Sequence, residues 1–159
     1  MALKKPLALY SGRITELKPG DQIDIEMDSA KLQNKDAVTV NKLEFVALGT
    51  SNGSFKQALA DTFANGHVLG ISTETVAVDA IGVIQTDGLV SGTLAGWTGV
   101  LEDANPLGLT LGSIYYLSKT APGKITSIPP IAPGVSTRVG RALSDVLFDL
   151  NIDYPIELS

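Results

Sequence analysis

The stretch GSIYYLSKTAPGKIT, residues 112–126, decides the fold. Its first half is a run of β-branched and aromatic residues, the composition that favours a strand. Pro122 and Gly123 then reverse the chain, because proline presets φ and glycine supplies the left-handed turn position. Consecutive side chains of a strand point to opposite faces, so one of Tyr115 and Tyr116 is expected to pack inward and the other outward. The stretch predicts a β-hairpin with one buried face.

A similar alternation of short apolar runs and turn residues continues on both sides of this hairpin. Short apolar runs are separated by Gly, Pro, Asp and Asn about every ten residues, as in sandwiches and small barrels. Two connections, residues 86–88 and 121–124, resemble hairpin turns. Pro129-Pro130 and Pro133-Gly134 predict an extended crossover, because proline lacks the donor that a central strand needs. The candidate strands downstream of Gly66 are residues 68–71, 75–78, 82–85, 89–92, 99–101, 113–118, 124–126, 136–143 and 147–152.

One helix is predicted, beginning after Ser54 as N-cap and ending at Asn65-Gly66, with Phe55, Leu59, Ala60 and Phe63 at helical spacing. Upstream of it, residues 29–36 are interpreted as a polar linker, followed by strands in 37–40 and 43–48.

The N-terminal region contains strand patterns separated by turns. Residues 7–10 and 13–17 flank Ser11-Gly12, and in residues 22–27 Ile and Met alternate with Gln, Asp and Glu. The predicted fold class is mainly β, a small β-sandwich or barrel-like module with one short helix and an extended N-terminal segment. We expect residues 1–45 to be an N-terminal attachment segment with short strands and residues 46–159 to be the β-rich module.

Composition restricts the functional classes. The 159 residues carry a net charge of −5 with scattered Lys and Arg, which argues against nucleic acid as a partner. No cysteine is present, so thiolate metal sites and Cys nucleophiles are excluded. The apolar run at residues 6–10 is too short for a signal peptide, and no other run is long enough to span a membrane. Only 18% of the residues are charged, which hints at surface buried in a partner.

No pattern of catalytic or cofactor-binding residues emerges. His67 is the single histidine, so a packing or capping role is expected rather than a metal site. Glu102, Asp103 and Asn105 form an acidic loop whose spacing matches no calcium loop, and a turn with Asx-type hydrogen bonds is expected there. Nucleotide-binding glycine motifs and a serine elbow are both missing. We expect no enzyme, no cofactor and no metal.

The chain nevertheless resembles virion structural proteins of tailed bacteriophages. The resemblance lies in residues 108–118 (GLTLGSIYYLS), 122–126 (PGKIT), the pair Pro129-Pro130, and residues 138–144 (RVGRALS) and 155–158 (PIEL). Residues 6–14 (PLALYSGRI) are similar to the N-terminal segment of such subunits. The family comprises head-decoration, head-fibre and short tail-fibre proteins, and the absence of heptads, a repeated shaft and a large tip favours decoration or a head fibre.

This resemblance implies a homo-oligomer, expected to be a trimer, on a capsid or tail, with the N-terminal region as the attachment part. Its partner would be the major capsid protein or another virion protein, and it would be made in the host cytoplasm. A tail-fibre, baseplate or adaptor component is the alternative within the virion. A glycan-binding module using Trp97, Tyr115 or Tyr116 is the alternative from another class.

Contact residues can be proposed on physical grounds. An apolar terminal strand can add to a neighbouring sheet edge, and Tyr and Arg are enriched in interfaces. The candidates for attachment are Leu7, Leu9, Tyr10 and Arg13, and those for the subunit interface are Tyr115, Tyr116, Arg138 and Arg141.

Overall fold

The computed structural model describes residues 29–159 in full and, upstream of them, the backbone of residues 7–10 and 13–16. The described elements, in chain order, are β1 Leu7–Tyr10, β2 Arg13–Glu16, β3 Ser29–Asn34, β4 Phe45–Leu48, β5 Ser54–Gln57, β6 Val68–Ser72, β7 Ile81–Gln85, β8 Gly88–Ser91, α1 Leu94–Val100, β9 Ile114–Leu117, β10 Ile125–Thr126, β11 Gly134–Ser136, β12 Arg138–Ala142, β13 Leu147–Leu150 and β14 Ile156–Leu158.

The first large unit is a closed barrel with the strand order β3-β5-β4-β6-β7. The barrel closes through β3, which pairs antiparallel with β7 and parallel with β5. Phe55 and Ile84 are fully buried inside the barrel. Val40, between β3 and β4, forms an isolated antiparallel β-bridge with Val76, between β6 and β7. The fully buried Asn34 side chain donates to the carbonyls of Val38 and Val76, so the polar group in this core is hydrogen-bonded.

The second unit is a five-stranded antiparallel sheet with the order β10-β9-β12-β13-β8. Its inner face is apolar because alternate residues of each strand point to one side. Tyr115 and Leu117 of β9 and Phe148 and Leu150 of β13 are buried there. The register between β12 and β9 shifts between Arg138 and Gly140, where β12 has a bulge.

Helix α1 covers the inner face of this sheet. The Thr93 hydroxyl accepts from the Gly96 amide at 3.0 Å and caps the helix. Trp97 is fully buried, its ring centroid lies 5.4 Å from that of Phe148, and its Nε1 donates to the Val146 carbonyl at 2.9 Å. Phe45 of the barrel contacts Phe148 edge to face, with centroids 6.1 Å apart, so one core joins barrel and sheet.

The mainly β fold class with a barrel-like module and a short helix is confirmed. The N-terminal hairpin is present as β1 paired with β2. The hairpin within residues 112–126 is also present, with Ile125 opposite Leu117. Residues 127–133 contain no strand, as expected of the proline-rich crossover. The strand predicted at residues 22–27 lies outside the described residues.

The helix expected after Ser54 is wrong. Ser54 and Phe55 are buried in β5, which pairs with β4, and residues 60–66 form turns. The period of the apolar residues was compatible with a helix, but pairing with β4 and burial of Phe55 in the barrel prevail. The one described helix is α1, so the strand predicted at residues 99–101 is also wrong.

Two further corrections concern connections. Residues 29–36, interpreted as a linker, contain β3, a strand of the barrel. The turn at residues 86–88 joins β7 to β8 across two different sheets and therefore makes no hairpin. β3 thus lies within residues 1–45, and the division of the chain at residue 46 stays a prediction.

Candidate contact surface

The outer face of the five-stranded sheet brings together three of the predicted contact residues. Tyr116 lies opposite Arg138 in the register of β9 and β12, and Arg141 lies opposite Ile114 on the same pair of strands. Tyr116 and Arg138 are half-buried and Arg141 is exposed. Tyr116 and Arg138, 22 positions apart in the sequence, thus share one surface. We call this the outer sheet face.

Aliphatic side chains adjoin these residues on the outer sheet face. A row across four strands runs Leu89, Asp149, Arg141 and Ile114, each opposite the next in register. Leu89 is 59% exposed and Ile114 is 40% exposed. The row therefore has an acidic and a basic residue at its centre and an apolar side chain at each end, an arrangement that another protein surface can cover.

Charge on the outer sheet face is only partly paired. Arg138 Nη1 lies 3.6 Å from Asp153 Oδ2, and both side chains are partly exposed. The Nε of Arg138 is buried and has no hydrogen-bond partner. An exposed ion pair of this kind contributes little to stability, about 0–1 kcal/mol.

Tyr115 is the inward member of the tyrosine pair. It is 2% exposed, its ring lies 6.0 Å from that of Phe148, and its hydroxyl accepts from the Thr110 amide at 2.9 Å. The expectation that one tyrosine packs inward and the other outward is confirmed. Tyr116 alone of the pair offers surface for an interface. Trp97 and Tyr115 are also unable to stack on a sugar, since both lie in the core.

The four attachment candidates lie on the N-terminal hairpin. Leu7, Leu9 and Tyr10 belong to β1 and Arg13 to β2, with Tyr10 opposite Arg13 at the turn. The structure describes the backbone of these strands and not their side chains, so the attachment role stays a prediction.

A second surface was not predicted from the sequence. Phe63, His67 and Tyr154 are all exposed, yet their rings are in mutual contact. The centroid distances are 6.3 Å for Phe63 and His67, 5.5 Å for Phe63 and Tyr154, and 4.8 Å for His67 and Tyr154. No local signal could have found this group, because Tyr154 lies 87 positions beyond His67 and meets it only through the fold.

Phe63 also lines a groove beside these rings. The groove has a volume of about 420 Å³ and is lined by Asp61, Thr62, Phe63, Gly134, Val135, Glu157, Leu158 and Ser159. Its floor is β11, which pairs with β14. Two side-chain carboxylates and two hydroxyls therefore line the same space as an aromatic ring.

The acidic loop at residues 102–105 has the hydrogen bonds of a turn. In the acidic loop Asp103 accepts from the Asn105 amide, and Asn105 accepts from the Leu107 amide, the Asx-type bonds expected of a turn. Within the described part of the chain, no three His, Asp or Glu side chains are grouped as metal ligands would be. Among the same residues, no helix has the length and apolar character to cross a membrane.

Fold and surfaces together define a mainly β protein with an exposed, mixed apolar and charged sheet face. Compared with protein-family models and with curated proteins, the chain matches none.

Proposed function

We propose that this protein is a structural virion subunit, a capsid-decoration or head-fibre protein of a tailed bacteriophage, that oligomerises and docks on the particle. It would act without catalysis. The virion assignment rests on the sequence resemblance described above. The observation that supports self-association is the outer sheet face, which places Tyr116, Arg138 and Arg141 among exposed aliphatic side chains.

The composition of this face resembles that of protein interfaces and supports the proposal. Interfaces combine apolar contacts with Tyr and Arg, which give large contact area and several hydrogen-bond donors. Leu89 and Ile114 flank the Arg141–Asp149 register pair, so water would be removed from aliphatic carbon when the face is covered. A second copy fits because Arg141 of one subunit can meet Asp149 of another. The family resemblance favours three copies around an axis.

Docking on the particle is assigned to the N-terminal hairpin. β1 has only β2 as a described neighbour, and an edge of such a two-stranded ribbon can extend the sheet of a coat protein. The major capsid protein is the proposed partner, and the virion surface is the proposed location. Placement on the tail, as a fibre, baseplate or adaptor component, is the alternative.

The first test is the mass of the protein in solution. Light scattering after size exclusion should give a multiple of the 16.6 kDa chain, expected to be three. Arg141→Glu places a second acid beside Asp149 and should shift the mass toward the monomer. Lys31→Glu makes the same charge reversal at an exposed barrel position and should leave the mass unchanged. A monomeric parent protein that also fails to bind purified heads would overturn the proposal.

Particle binding is tested separately. Tyr10→Ala with Arg13→Ala should lower occupancy on purified heads while the oligomer and the fold persist. Normal occupancy would refute the attachment role of the hairpin. A cryo-EM map of particles with labelled protein separates the head from the tail, and labelled tails with bare heads would favour the alternative placement.

A further inference from the structure

The group formed by Phe63, His67 and Tyr154, here called the aromatic platform, is held in place by its surroundings. Phe63 lies in a turn that is closed by the Gly66 amide donating to the Thr62 carbonyl at 2.8 Å. Asn65 connects this turn to its neighbours, since it accepts from Lys56 Nζ at 2.6 Å and donates to Asp61 at 2.8 Å. The turn that carries Phe63 is therefore fixed by these three hydrogen bonds.

The turn is also anchored to the floor of the groove. The fully buried Thr137 hydroxyl donates to the Gly66 carbonyl at 2.7 Å. A Cβ at Gly66 would lie 2.8 Å from Val135 Cγ1, so the turn packs closely on β11. Tyr154 is positioned from the other side, because the Asp153 amide donates to the Arg138 carbonyl at 2.9 Å and Pro155 is buried. Exposed rings on such supports are preorganised for contact.

We infer that the aromatic platform and the adjoining groove bind a neutral saccharide, with its hydroxyls toward Asp61, Thr62 and Glu157. Tyr154 stands at 62° to Phe63 and 79° to His67, so the C–H face of the sugar would stack on one exposed ring and touch the edges of the others. Carboxylates accept hydrogen bonds from sugar hydroxyls, and an aromatic face covers the apolar side of a sugar ring. Phe63 belongs both to the platform and to the groove lining, so one ligand can contact both.

Other ligand classes fit less well. An aromatic cage holds a cation within about 6 Å of each ring centroid, so facing rings must stand well apart. Here the centroids are 4.8 to 6.3 Å from one another, and Tyr154 meets both Phe63 and His67 edge to face, so the three rings are packed together rather than set apart as the walls of a cage. Asp61 and Glu157 in the groove lining disfavour anionic sugars and nucleic acids. The Lys119 ammonium group lies beside Gly134 of the lining and donates to the Pro133 carbonyl.

The test is an amide NMR titration of the full chain with named probes at millimolar concentration. The neutral probes are maltotetraose, the N-acetylglucosamine tetramer and galactose, and the contrasting probes are sialyllactose and choline. Shifts confined to residues around Phe63, His67, Tyr154 and Glu157 with a neutral probe are expected. Shifts with only sialyllactose or choline, or with no probe at all, would overturn the inference.

Variants show whether saccharide binding depends on the aromatic platform or would follow the loss of any large exposed side chain. Phe63→Ala with Tyr154→Ala should weaken saccharide binding about tenfold or more. Leu107→Ala removes another large exposed side chain, 75% exposed, and should bind as the parent does. Tyr154→Ala alone, at a 67% exposed position, keeps the test valid if the double variant folds poorly. Equal binding by Tyr154→Ala and the parent would contradict a stacking role. These outcomes are independent of oligomeric state and of binding to heads.

Discussion

At the scale of single residues, Gly140 shows where the fold tolerates no side chain. Its φ is +154°, and a Cβ there would lie 2.1 Å from the Asp149 carbonyl oxygen and 2.7 Å from the Phe148 ring. Gly140→Ala should therefore destabilise the protein by about 3 kcal/mol or more. Gly99→Ala is the matched control, because nothing lies within 4 Å and alanine favours α1 by about 0.5–1 kcal/mol. Urea unfolding followed by Trp97 fluorescence measures both, and equal stability of Gly140→Ala and the parent would refute the close approach.

The two tyrosines of β9 provide a second prediction at this scale. Tyr115→Phe removes the acceptor of the Thr110 amide and should cost about 1 kcal/mol in the free energy of unfolding. Tyr116→Phe removes a hydroxyl from the half-buried outer face, so its unfolding free energy should remain within about 0.5 kcal/mol of the parent. Urea denaturation at low protein concentration gives both values. Equal losses for the two variants would contradict their assignment to opposite faces.

The sequence predicted which side chains of a strand point inward, but not which distant residues they contact. Alternation within β9 predicted that one tyrosine points inward, because a strand has a period of two. The proximity of Tyr116 to Arg138, or of His67 to Tyr154, depends on contacts between distant segments. No local pattern encodes those contacts, so the outer sheet face and the aromatic platform required the structure.

At the scale of secondary-structure elements, the helix that the sequence predicts after Ser54 shows how tertiary structure overrides local preference. Ser54 and the apolar residues after it have helical spacing, yet they form β5 and a series of turns because β4 and the barrel core bury Phe55. Conversely, α1 has only seven residues, two of which are glycine, and the fully buried Trp97 holds it to the sheet. Short helices depend on packing more than on propensity.

The cap of α1 is open to a direct test. Thr93→Ala removes the hydroxyl that accepts from the Gly96 amide, and should lower the free energy of unfolding by about 1 kcal/mol. Thr93→Ser keeps the acceptor oxygen and should stay close to the parent. Thermal and urea unfolding give the free energies of unfolding of the parent and the two variants. A loss in Thr93→Ser as large as in Thr93→Ala would show that the methyl group, and not the cap, contributes the stability.

At the scale of the whole molecule, the barrel and the sheet share a core. Phe45 and Ile71 of the barrel belong to the same buried cluster as Trp97, Phe148 and Leu150 of the sheet unit. A continuous apolar core makes partial unfolding costly, because either unit would expose the face that the other covers. We therefore predict that the two units unfold together.

This cooperativity can be measured with a probe in each unit. Trp97 fluorescence reports on the sheet unit, and amide exchange of β4 and β6 reports on the barrel. Phe45→Ala removes the edge-to-face contact with Phe148 and should cost about 3–5 kcal/mol, with both probes moving to the same lower urea midpoint. Val76→Ala, in the separate barrel cluster, should cost less but shift both probes equally as well. If Phe45→Ala lowered the barrel midpoint while the Trp97 midpoint stayed in place, the two units would be independent domains.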